Sequence, residues 1–462
     1  MGKAYPIEPV DVPPVHTSYR NIHTAIPHPQ TVALLKKLRE TEPLCMEGQP
    51  PIVWDRAEGA TVFDAHGNQW IDMTSGVLIT NAGHGRREMI DGIVRQAQHG
   101  LLTSYCFPHA VRAQLVELLQ SVAPRRNDKV MLLSTGSEAT ELCIKLSREY
   151  ARRQGHTPNV FVTFANAFHG RTLGAQLAGG IPALKQWIGY DDTHFVNAPF
   201  PDGGVRSPKE ADDFATFERT LRDAGVKPEQ VCGVMTETYQ GGNSSFAPPD
   251  YMRKLRAWCD RHDVLLCMDE VQAGFGRTGK FWGFEHYGIT PDLIACGKGI
   301  SGSLPLSAVI GRREVLDMFG PGSMTSTHSG NPICCAAALE SLKLILKEKL
   351  AERAATLGEL MQQRSARIAA KYSDRILAHH GKGLVASLQC VKAGSREPDE
   401  DLAWSVVGKA VQAGVMLFGP VGFGGASVKL CPPLVIEEPA LAEAMDVIES
   451  AFETVLAAEA VA

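Results

Sequence analysis

The sequence has no apolar stretch approaching the roughly 18 residues that a bilayer-spanning helix requires, and its opening segment is interrupted by Pro6, Pro9, Pro13, Pro14, Pro27 and Pro29. Neither a membrane span nor a secretory signal is expected. It lacks a dense basic run as well. With 46 Lys and Arg against 51 Asp and Glu the formal net charge is -5, so no surface of the kind that grips a nucleic-acid backbone is expected. None of the 11 cysteines belongs to a C-x-x-C pair, and Cys267 in VLLCM and Cys296 in LIAC sit where a thiol acts as a small hydrophobe. That usage fits reduced thiols in a cytoplasmic protein. There is no H-E-x-x-H and no Cys/His cluster, and the adjacent His379 and His380 cannot share a helix face, which argues against a metal centre. Internal repeats and low-complexity tracts are missing too. At 44% hydrophobic and 21% charged residues, disorder, collagen and coiled coil are excluded as descriptions of the whole chain.

What is present is organised. Residues 1 to about 50 are rich in Pro and His and carry one helical stretch, TVALLKKLRE, which reads as an arm lying over something else. From about residue 130, short apolar runs alternate with helical or turn segments: VMLLS, VFVTF, VCGVMTE, VLLCMDE, DLIACGK and LSAVIG. Runs of this length, bounded by Gly, Asp and Pro, predict a largely parallel sheet with helices on both faces. In SEATELCIKLSREYARR, the residues Ala139, Leu142, Cys143, Leu146 and Tyr150 recur at threes and fours and predict one amphipathic helix. A longer helical region follows Pro332 and is expected to break near Leu357 and Gly358. The remainder, from about residue 380, reads as a smaller α+β domain ending in a helix.

In an open α/β sheet, ligands sit beyond the carboxyl ends of the strands, so the polar residues that follow apolar runs are the ones to inspect. Ser134-Thr135-Gly136-Ser137-Glu138 follows VMLL and opens the amphipathic helix, where free N–H groups can hold a phosphate. Equally, Thr135 and Ser137 can simply cap it. Asp269, at the end of VLLCM, is costly to bury unless a cation or donor meets it. Lys298 follows the next apolar run, so the two could emerge at neighbouring strand ends; an amine shielded there becomes nucleophilic toward carbonyls. A lone lysine is otherwise a solvated loop residue. Gly274-Phe275-Gly276-Arg277-Thr278-Gly279 matches G-x-G-x-x-G but does not open a helix, and the P-loop near-match puts Phe281 where a hydroxyl is required. Both nucleotide readings fail on context.

Taken together, Ser134-Thr135-Gly136-Ser137-Glu138-Ala139, Ala167-Phe168-His169-Gly170-Arg171-Thr172, Asp269-Glu270-Val271-Gln272, Gly276-Arg277-Thr278-Gly279, Lys298 and Gly330-Asn331-Pro332 resemble the class III (omega) aminotransferase family of pyridoxal-phosphate enzymes, the 4-aminobutyrate aminotransferase type among them. The likeness runs in order from about Val62 to Pro433. It implies an α/β protein of fold type I and a homodimer with shared active sites. Residues 1–85 would form an arm and part of the small domain, 86–345 the large cofactor-binding domain and 346–462 the rest of the small domain. It also implies pyridoxal phosphate as cofactor and a small amine or amino acid as substrate.

On those motifs, Lys298 would hold the cofactor through its amine and later move a proton, and Asp269 would bond the pyridine nitrogen. Thr135, Gly136 and Ser137 would hold the phosphate, joined by the partner subunit's Thr327. Phe168 and Val271 would cover the two ring faces and Gln272 would reach the phenolic oxygen, with His169 and Glu237 in the same cofactor-binding set. Val77, Arg171 and Lys429 would face the substrate.

Two departures bear on the reaction. Enzymes of the 4-aminobutyrate type carry a glutamate after E-P-x-Q-G and an arginine before P-P-L, forming a switchable ion pair. Here Gly242 and Lys429 stand at those positions. An ammonium lacks the bidentate fork of a guanidinium, so the switch is expected to be missing; alternatively Lys429 points to solvent and Gly242 is an ordinary turn. Amino transfer from an ω-amine or amino acid to a 2-oxo acid is the first reading. A class III lyase on a phosphate- or phosphonate-bearing amine, or an amino-acid racemase, is the second. A binding protein without turnover is the third, and it gives no chemical reason to retain Lys298, Asp269 and Gln272 together.

Overall fold

A computed structural model of the chain describes residues 3–155 and 160–461. It divides into two compact units, one of residues 87–352 and one joining residues 1–86 to 353–462.

The 87–352 unit is built on a seven-stranded sheet ordered Lys129–Leu133, Ser307–Gly311, Leu293–Cys296, Leu265–Asp269, Val231–Glu237, Val160–Phe164, Phe195–Ala198. Neighbours are parallel except for Ser307–Gly311, which runs antiparallel to both strands it pairs with. The central strands Val231–Glu237 and Leu265–Asp269 are buried along their whole length, which is why they read as unbroken apolar runs instead of alternating ones. The expected amphipathic helix is Gly136–Arg153, and its buried Leu142, Cys143 and Leu146 join Phe161, Met235 and Cys267 in the core.

The other unit contains a six-stranded sheet that includes Thr61–Phe63, Gln69–Asp72 and Val415–Met416, and an antiparallel three-stranded sheet of Ile376–Lys382, Val385–Cys390 and Ser427–Leu430. Helices Val32–Thr41, Glu400–Gln412 and Glu438–Val461 stand where helical stretches are read in the sequence.

The long helical region departs from expectation. It breaks at Glu348 and Lys349, between helices Pro332–Lys347 and Leu350–Lys371, with Lys349 in the left-handed region at φ 50°. Gly358 lies inside the second helix, where a Cβ would stand 2.5 Å from the carbonyl oxygen of Gly383. The glycine permits a close approach of helix and chain and does not end the helix. Helix propensity alone would make Gly358→Ala stabilising by about 1 kcal/mol. The close approach reverses the sign, and the expected result is a loss of about 1–3 kcal/mol, read as a lower melting temperature in calorimetry. An unchanged or raised melting temperature contradicts the close-approach explanation.

Candidate active site

Parallel register brings the functional carboxylates level. Asp269 is the Cα partner of Glu237 on one side and of Ala295 on the other, and Lys298 follows two residues after the strand that ends at Cys296. A cavity of about 150 Å³ opens at these strand ends and is lined by Gly136, Ser137, Phe168, His169, Gly170, Glu237, Tyr239, Asp269, Val271, Gln272, Ala273 and Lys298. All of these belong to the 87–352 unit.

At one end is the start of helix Gly136–Arg153. Thr135 is its N-cap, accepting from the Glu138 N–H at 3.3 Å, while the Glu138 carboxylate accepts from the N–H groups of Ser134 and Thr135 at 2.9 and 2.8 Å. Thr135 is exposed. This capping box uses donors outside the first two helical residues, so capping and anion binding are compatible: Gly136 and Ser137 present their N–H groups at the positive end of the helix dipole. Ser137 Oγ accepts from the Arg171 N–H at 3.3 Å and keeps its own proton to donate.

At the other end, Asp269 Oδ2 lies 2.7 Å from His169 Nδ1 and Oδ1 accepts from the Val271 N–H at 3.1 Å. His169 is held in turn through its carbonyl, which accepts from Thr140 Oγ1 at 2.9 Å. Burial opposes a charge on His169, but the hydrogen bond and negative charge of Asp269, helped by Glu237, raise its pKa above the usual imidazole value. Both carboxylates are buried, Asp269 6% and Glu237 5% exposed. Glu237 accepts from the N–H groups of Phe168 and Gly241 at 3.1 and 2.8 Å. Burial pushes its carboxyl up to about 7, with His169 opposing and Asp269 adding to the rise.

Glu270 points away from the cavity. It takes a hydroxyl bond from Thr238, which stands where the resemblance expects proline, and N–H bonds from Gly283 and Phe284 at 2.6 and 3.1 Å. Burial pushes this carboxyl up to about 8. Acids raised in this way contribute stability that is fully present below the ordinary carboxylate pKa. It is lost as pH rises through about 7 for Glu237 and about 8 for Glu270. For the cofactor-free protein the expected result is a melting temperature that declines from about pH 5 to pH 8, on the order of 3 kcal/mol from Glu237 alone. Glu237→Gln should show a shallower decline between about pH 5 and pH 7; a decline as steep as the wild type there removes Glu237 from this explanation.

Lys298 has a left-handed backbone at φ 44°, a conformation that costs a residue with a Cβ about 1–2 kcal/mol. Strain of this kind collects where the surrounding structure fixes a functional side chain. The half-buried amine-bearing residue shares the cavity with Asp269, so neighbouring strand ends do bring the two together.

The cavity thus gathers Gly136, Ser137, Phe168, His169, Glu237, Asp269, Val271, Gln272 and Lys298 from the residues singled out in the sequence. Arg171 is exposed, with its guanidinium 5.7 Å from the centre of the Phe168 ring. Thr327 is exposed and does not line the cavity. Val77 and Lys429 belong to the other unit. Val77 is exposed in a turn where Ser75, Gly76, Val77 and Leu78 all have positive φ. Lys429, in strand Ser427–Leu430 opposite Ser387, is only 2% exposed, so its reading as a solvated lysine is overturned. Gly242 lies in the turn between strands Tyr239–Gln240 and Ser245–Phe246. Tyr239 and Ala273 carry no role in the sequence reading, and Gly170 enters it only as part of the Ala167 to Thr172 motif. Tyr239 had a readable signal, because ETYQ follows the run VCGVMT much as DEVQ follows VLLCM.

A group that is anionic at one end and carries a basic ring nitrogen at the other suits this donor set. The helix end would face the anion, the anchored Asp269 the nitrogen, and Phe168 and Val271 would be walls. A Cβ on Gly136 would stand 3.0 Å from Val271 Cγ1, so that wall already closes on the helix start. The chemistry of these residues fits pyridoxal phosphate.

The family model for class-III aminotransferases matches residues 45–452. The chain belongs to that family. A 4-aminobutyrate aminotransferase from Mycobacterium leprae is 32% identical over 93% of this chain and 97% of that protein. An isoleucine 2-epimerase from Lentilactobacillus buchneri is 33% identical over 87% of this chain and 90% of that protein. Among solved structures, an amine transaminase from an uncultivated Pseudomonas species, in its pyridoxal-phosphate-bound form, superimposes with a TM-score of 0.79 at 27% identity, covering 87% of this chain and 94% of that one. The aminotransferase therefore has the type I fold and depends on pyridoxal phosphate, as the motifs implied. Among the described residues no helix is long and apolar enough to cross a membrane.

Proposed function

We propose that this class-III aminotransferase moves the amino group of an ω-amine or amino acid to a 2-oxo acid, with Lys298 as the residue that bonds the cofactor. The observation that carries the reading is Lys298 and the doubly anchored Asp269 lining one cavity with the open start of a helix. Bound pyridoxal phosphate supplies an aldehyde that takes up amines and a ring that accepts electrons from the substrate carbon.

The chain's residues do the rest. Gly136 and Ser137 bind the phosphate through N–H groups and the Ser137 hydroxyl. Asp269 would hold a proton on the ring nitrogen, and His169, whose Nδ1 lies 2.7 Å from Asp269 Oδ2, keeps that carboxylate in place. Phe168 and Val271 exclude water from the two ring faces, and Gln272 bonds the phenolic oxygen. The Lys298 amine would act as the base that takes the proton from the substrate carbon. Arg171, Lys429 and Val77 are the proposed substrate contacts, and Thr327 is proposed to complete the partner subunit's phosphate site in a cytoplasmic homodimer.

Racemisation is the second reading, supported by the likeness to an isoleucine 2-epimerase. Amines offered without a 2-oxo acid separate the two. Transfer is expected to consume the cofactor's visible absorption once, stoichiometrically, and to resume only when a 2-oxo acid is added. Loss of optical activity from a single amino acid with the absorption retained would establish racemisation, and continuous ammonia release would establish a lyase.

A further inference from the structure

Tyr239 lines the cavity and has no role assigned by the motifs. It is 1% exposed and begins the short strand Tyr239–Gln240, paired with Ser245–Phe246, so its backbone is set by the hairpin that follows the Glu237 strand end. Its ring packs on Phe246 with centroids 5.3 Å apart. Its hydroxyl donates across to the neighbouring strand-end loop, to the main-chain oxygen of Gln272 at 3.2 Å. A buried phenol so placed fixes the turn that carries Gln272 as well as filling space.

The same hairpin shapes the other side of Gln272. The Gly241 N–H donates to Glu237 Oε1 at 2.8 Å, and a Cβ on Gly241 would collide with Gln272 Nε2 and stand 2.8 Å from that Glu237 oxygen. The amide end of Gln272 and the Glu237 carboxylate therefore crowd over one glycine, while the main chain of Gln272 is tied to Tyr239. Neither tie reaches the cavity centre by itself. Together they leave the Gln272 side chain little freedom to turn away from the space that Lys298 and Asp269 share.

We propose that Tyr239 is a positioning residue for the reaction, acting through Gln272: its hydroxyl holds the Gln272 main chain so that the side-chain amide stays directed at the bound cofactor. The inference rests on the proposed site assignment and adds to it a residue that touches Gln272 and sets its aim.

The test is a double-mutant cycle on the cofactor-loaded protein with Tyr239→Phe, Gln272→Ala and the double variant. The readouts are the position of the cofactor's absorption maximum, kcat/KM with one amine donor, and melting temperature. Tyr239→Phe keeps the ring and removes one hydrogen bond, so it is expected to move the absorption maximum toward that of Gln272→Ala and lower kcat/KM about 3- to 10-fold. In the Gln272→Ala background it is expected to change neither further. Equal effects in both backgrounds overturn the inference, as does a Tyr239→Phe variant in which only the melting temperature falls. A wild-type protein that takes up no pyridoxal phosphate overturns the underlying site reading and this inference with it.

Discussion

Lys298→Ala is expected to take up pyridoxal phosphate without a covalent link, to lose the absorption of the linked form, and to lose at least about 10³-fold in kcat, the scale of a general acid–base group. The effect is large because the side chain has two jobs that no other residue in the cavity duplicates. Among the residues lining it, Lys298 is the one amine. Lys185 bonds the Leu177 carbonyl and the Asn197 side chain at 3.0 and 2.9 Å and does not line this cavity, so it offers no replacement. Absorbance spectra and single-turnover rates check the result. A variant that keeps both the linked absorption and turnover removes Lys298 from its assignment. The phosphate contacts proposed for Gly136 and Ser137, which line the same cavity, would be untouched by the change, so cofactor binding itself should weaken and not vanish.

Asp269→Asn is expected to keep the fold and lower kcat/KM about 10²- to 10³-fold, comparable with removing a preorganised electrostatic contact in a closed site. The replacement is isosteric and can still meet the Val271 N–H. It cannot hold a proton on the ring nitrogen by charge. Its second effect falls on His169: with the negative partner gone, burial dominates and the imidazole pKa falls. Imidazole chemical shifts would report this directly. An Asp269→Asn variant with unchanged kcat/KM contradicts the role given to the carboxylate.

The sheet and the site were legible in the sequence to different depths. The central strands are buried on both faces and connected by helices, so they appear as short apolar runs, and the polar residue closing each run marks the functional edge. Asp269, Lys298 and the opening of helix Gly136–Arg153 could be read that way. The placing of Glu237 and Tyr239 beside them depends on strand order, which the runs do not encode.

The break in the long helix was misplaced for a related reason. Gly358 looks like a terminator locally, and only the nearness of Gly383 explains it. The break itself falls at Lys349, a residue type that carries no stop signal. Lys429 shows the same limit: the sequence leaves a substrate-facing and a solvent-facing side chain both open, and only its place in the strand opposite Ser387, 2% exposed, removes the solvated one.

The most direct test is to load the wild-type aminotransferase with pyridoxal phosphate, reduce it with borohydride, digest it and map the modified peptide by mass spectrometry. The expected result is one pyridoxyl group per chain on Lys298. A pyridoxyl group on Lys185, Lys429 or another lysine, or none at all, contradicts the assignment of this cavity as the active site.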